Sequence, residues 1–81
     1  MALPTYYRLS FAQRAIILKI YRAGGVIPST AFAGRRFRTI GKLIELGLVV
    51  RDDSLPTYAE LGLTAAGLGI AANLVEEGWN K

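Results

Sequence analysis

The chain has 81 residues, ten basic and six acidic, for a formal charge of +4, and contains neither cysteine nor histidine. That length makes one domain, 1–81, and the missing cysteine and histidine exclude disulfides, thiolate chemistry and the usual zinc-ligand sets. Hydrophobic residues reach 52%, slightly above the ~45–50% of ordinary soluble domains, which leaves apolar surface for a partner or a second copy.

The apolar run at 15–18 is broken by Lys19, so no secretory signal is expected. The longest uncharged run, 61–75, is 15 residues and contains Gly62, Gly67 and Gly69; a span needs ~18–20. The expectation is a soluble, cytoplasmic protein with no membrane contact, no cofactor and no metal. The charge is unevenly placed. Residues 1–50 hold eight basic side chains and one acid, Glu45, whereas 51–81 hold two basic and five acidic ones. A positive half of this kind suits a polyanion such as nucleic acid.

Residues 1–9 form a lead-in arm, where Pro4 disfavours an early helix. Tyr6, Tyr7 and Arg8 are candidates for partner contact or, as preferred here, for packing back on the core. Ser10-Phe11-Ala12-Gln13 matches the capping box and starts a first helix. Phe11, Ala15, Ile16, Leu18 and Ile20 are its expected apolar face. Gly24-Gly25 stops it.

Val26-Ile27 is expected as a short edge strand. Pro28 with Ser29 or Thr30 opens a second helix of one to two turns, and 34–37 makes the turn after it. In the next helix, about 38–46, Ile40, Leu43, Ile44 and Gly47 recur at i, i+3, i+4 and i+7. Arg38, Lys42 and Glu45 therefore face away from the core, with Thr39 and Gly41 beside them. Gly47 ends this helix. Residues 48–51 and 57–63 read as two strands around a turn at 52–56, and Thr64 caps a last helix, 64–77. Its stripe is Ile70, Ala71, Leu74 and Val75, and its many small residues would let another helix approach closely. Trp79 is expected to cover a gap or an interface.

Leu43-Ile44-Glu45-Leu46-Gly47-Leu48-Val49-Val50-Arg51, then Tyr58, then Leu63-Thr64-Ala65-Ala66-Gly67, resembles the LxxLGLVxR … YxLTxxG pattern of MarR-type winged helix-turn-helix proteins. The likeness covers the C-terminal half directly and the N-terminal half by element order. It implies an α+β winged helix with three to four helices and a two- to three-stranded antiparallel sheet. In that frame 29–46 is the helix-turn-helix, 48–63 the wing hairpin and 64–77 the C-terminal helix.

The resemblance implies a small protein that binds double-stranded DNA, a transcriptional regulator acting by occupying a site. Arg38, Thr39 and Lys42 would face the groove, and Arg35, Arg36 and Arg51 would hold phosphates. It also implies dimerising helices, so a homodimer through the last helix is one option and packing of that helix on the first is the other. The wing departs from the pattern, because Asp52 and Asp53 stand where a basic tip would meet phosphate. That departure keeps a second reading open: a winged-helix module that binds and modulates another protein, of a size that suits a phage or plasmid genome. Asp52 and Asp53, as strand neighbours, point to opposite faces and make no paired acid–base site, so no enzymatic activity is expected.

Overall fold

The computed structural model describes residues 9–32, 37–54 and 59–78. Residues 1–8 of the expected arm 1–9, Arg35 and Arg36, Tyr58 and Trp79 lie outside the described residues. What is described is α+β, three helices with a three-stranded antiparallel sheet, in an order compatible with a winged-helix layout.

Helix α1 (Phe11–Arg22) begins where the capping box places it. The Ser10 hydroxyl accepts from the Gln13 amide (3.1 Å), and the Gln13 side chain accepts from the Ser10 amide (2.8 Å). Two donors that the helix leaves unpaired are thereby satisfied. Ile16, Ile17, Leu18 and Ile20 are buried. Phe11, expected on this face, is 74% exposed, and Ile17 takes its place in the core. Phe11 is the first helical residue, and the buried stretch of α1 begins only at Ile16. Leu9, counted with the arm, is buried in the core.

Strand β1 (Val26–Pro28) is followed by one 3-10 turn, Ser29–Ala31, in place of the expected short α-helix. Ser29 does not cap it. Its amide donates to the Ala59 carbonyl (2.8 Å) and its hydroxyl accepts from the Ala59 amide (3.2 Å), so Ser29 extends the sheet instead. Helix α2 (Phe37–Glu45) leads into strands β2 (Val49–Asp52) and β3 (Glu60–Leu63), and α3 (Ala65–Glu76) closes the order. The strands are ordered β1-β3-β2, with β3 in the middle and antiparallel to both; Ile27 and Arg51 both pair with Leu61. Among the described residues the second strand starts at residue 60; residues 57 and 58 of the expected strand lie outside them.

The strand expected from residue 48 starts at 49, because Leu48 belongs to the end of α2. The Gly47 amide donates to the Ile44 carbonyl and the Leu48 amide to the Leu43 carbonyl, both at 3.0 Å. This pair of bonds requires a left-handed residue, and Gly47 sits at φ +76°. Thr64 then clamps the corner. Its amide donates to the Leu48 carbonyl (3.1 Å), and its hydroxyl donates to the Gly47 carbonyl (2.7 Å) and accepts from the Gly67 amide (3.0 Å). Gly67 must come close here: a Cβ on it would run into the Leu48 carbonyl oxygen.

α3 packs on α1, and the core between them and the sheet includes Ile16, Ile17, Ile20, Leu43, Leu61 and Leu74. Among the described residues no side-chain polar atom is buried without a partner, and no helix is long and apolar enough to cross a membrane.

Leu43 is fully buried. Leu43→Ala should cost about 2–5 kcal/mol, most of what a domain this small has, so its thermal transition should be largely lost in circular dichroism. Near wild-type melting would place the wrong face of α2 inward. Two α3 glycines give a paired expectation. Gly67→Ala should destabilise by about 1–3 kcal/mol, since backbone must move to admit the methyl. Gly69→Ala, with open space around it, should stabilise by roughly 0.5–1 kcal/mol. Denaturant midpoints moving in the same direction for both would contradict the α3–Leu48 approach.

Candidate nucleic-acid interface

α2 has two unlike faces. Ile40 and Leu43 are buried and Ile44 is half-buried against the core. Residues four apart lie above one another on a helix, so Arg38 and Lys42 share a column on the other side. Both are exposed, as is Glu45, while Thr39 is half-buried at the flank. Arg38 has no ion-pair partner among the described residues. Lys42 Nζ stands 3.9 Å from Glu45 Oε2, with both side chains more than half exposed. A pair that long and wet contributes little, so Lys42 can exchange it for a stronger anion.

These residues border a shallow, open depression lined by Gln13, Phe37, Arg38, Thr39, Gly41, Lys42 and Glu45. Gln13 and Phe37 were not among the expected site residues. Gln13 is expected only as a capping residue, and nothing local to α1 says that α2 packs beside it. Phe37, expected in the turn before the helix, is the first residue of α2 and half exposed. Its spacing of four from Gly41 was the available signal.

Of the six expected DNA-binding residues, Arg38, Thr39 and Lys42 therefore fall on one surface. Arg35 and Arg36 lie outside the described residues. Arg51 stands apart on β2, where its Nε is 2.7 Å from Asp53 Oδ1. Asp52 accepts from the Ser54 amide (2.9 Å) and is the register partner of Glu60 across the sheet. Like charges set opposite each other repel, so this end of the hairpin is negative. Lys19 is also committed elsewhere: its Nζ donates to the Ala31 carbonyl (2.9 Å) and lies 5.0 Å from the Phe32 ring centre.

Among the described residues no group of three or more acidic side chains is placed to hold a metal ion. Comparison of the chain with family models, with curated proteins and with solved structures finds no match.

The Ser54 backbone amide, and then its hydroxyl, hold the Asp52 carboxyl below its ordinary value of 3.8. A lowered carboxylate favours the folded hairpin above that ordinary value and loses the contribution as pH falls through the lower folded one. A carboxyl-carbon NMR titration should place the Asp52 midpoint below 3.8. Ser54→Ala should return only part of the shift, because the amide bond remains. A midpoint at or above the ordinary value in the parent protein would contradict the turn.

Proposed function

We propose that the chain is a small winged-helix protein that binds double-stranded DNA through the outward face of α2 and acts as a transcriptional regulator by occupying its site. The observation that supports this most is the division of α2: buried Ile40 and Leu43 on one side, exposed Arg38 and Lys42 in one column on the other. A helix so divided can lie in a major groove while its inner face stays in the core. Arg38, Thr39 and Lys42 meet the groove. Arg35 and Arg36, next to α2 in sequence, meet phosphates. Arg51 joins them only by leaving Asp53. No chemical step is involved, and the compartment we assign is the cytoplasm.

A second reading is favoured by a different surface. Val26 and Val50 are both about half exposed and both pair with Gly62, so they flank it on the outer face of the sheet. Asp52 and Glu60 continue that face. An apolar row ending in acids suits a protein partner, and this is where an interaction module would bind. The exposed Leu68, Gly69 and Ala72 of α3 offer a neutral seam for a homodimer.

The test is a titration of random duplex DNA at about 50 and 200 mM salt. With four cations, Arg35, Arg36, Arg38 and Lys42, displacing counterions, the affinity should fall roughly a hundredfold between the two. Arg38→Ala or Lys42→Ala should weaken binding and flatten the salt dependence by about one contact. Asp52→Asn with Asp53→Asn should tighten it, most at low salt, because two charges near phosphate are removed and Arg51 is released. No binding at low salt would transfer the assignment to the interaction module.

A further inference from the structure

We infer that Phe37 reads thymine: its ring packs on the C5 methyl group in the major groove, so the site that α2 prefers carries a thymine at the position under that ring. This rests on the reading of α2 as the DNA-facing helix. Phe37 is 53% exposed at the first position of α2, at the open end of the stripe that Ile40 and Ile44 continue at i+3 and i+7. It borders the depression shared with Arg38, Thr39 and Lys42. One turn on, at Gly41, a Cβ would meet nothing within 4 Å. Gly41 therefore puts no side chain of its own on the surface one turn from the ring.

The chemistry selects one base. The first residues of a groove-lying helix are those that reach base edges. Adenine, guanine and cytosine present hydrogen-bonding groups there, and the ring offers neither donor nor acceptor to them. Thymine alone presents a methyl group. Arg38 and Lys42 beside the ring supply the cations for phosphate or for a neighbouring guanine, so the two kinds of contact do not compete.

The experiment measures binding of the full chain, by fluorescence anisotropy, to an alternating A·T duplex and to the same duplex with uracil in place of every thymine. The change removes the methyl and keeps every hydrogen-bonding group. The parent protein should prefer the thymine duplex by roughly three- to five-fold, the factor that burying one methyl is worth. Phe37→Ala should bind the two duplexes equally, and Phe37→Leu should keep part of the preference. Phe37 is exposed, so circular dichroism should show both variants folded. Changing cytosine to 5-methylcytosine in an alternating G·C duplex should gain affinity for the parent and not for Phe37→Ala. Equal binding of thymine and uracil duplexes by the parent, or a preference that survives Phe37→Ala, overturns the inference and leaves DNA binding standing. Tighter binding to oligothymidine single strands than to duplex also overturns it, since the ring would then stack on an unpaired base. Binding to none of these probes overturns the DNA reading itself.

Discussion

Thr64 is the residue on which the arrangement of the other elements depends. Its amide and hydroxyl reach Leu48, Gly47 and Gly67, so the end of α2, the start of β2 and the start of α3 meet at one corner. A hydroxyl that both donates and accepts leaves nothing unsatisfied where three chain segments crowd together. The corner also requires Gly47, which alone takes its left-handed turn without strain, and Gly67, which alone admits the Leu48 carbonyl. The spacing from Leu43 through Gly47 to Thr64 and Gly67 thus has a physical meaning independent of any family. It is the set of residues that lets a helix turn directly into a hairpin and then into a second helix.

With that corner fixed, the orientation of α2 follows. Its inner face is pinned by Leu43 and by Leu48, both buried. The outer face can then only be the one that carries Arg38 and Lys42. The acidic end of the hairpin, with Asp52, Asp53 and Glu60, belongs to the sheet and not to this helix. The chain therefore separates its charges by element, basic on α2 and acidic on the β2–β3 hairpin. A polyanion and an apolar, basic protein segment would find different faces of the same domain.

Much of this was legible in the sequence because the signals are local. Ser10 and Gln13 lie three residues apart and make the capping box themselves. Ile40, Leu43 and Ile44 declare their face by spacing alone. What was not legible depends on residues distant in the chain. Ser29 reads as a helix cap until Ala59, thirty residues on, takes its hydroxyl. Phe11 reads as core by spacing, yet it stays exposed at the first position of α1. Gln13 and Phe37 join one depression only because α1 and α2 pack together. Arg51 is the exception, since its partner Asp53, at 2.7 Å, is only two residues on.

The most direct test of this account is native-state hydrogen exchange at the Thr64 and Leu48 amides. Each closes a bond across the corner, to Leu48 and to Leu43 respectively. If the corner holds the domain together, both amides exchange only through global unfolding, with the same opening free energy and denaturant dependence as core amides such as Leu61. Exchange of Thr64 and Leu48 by a local opening, while Leu61 remains protected, would show that the sheet and helices are held together without the corner and would contradict the account.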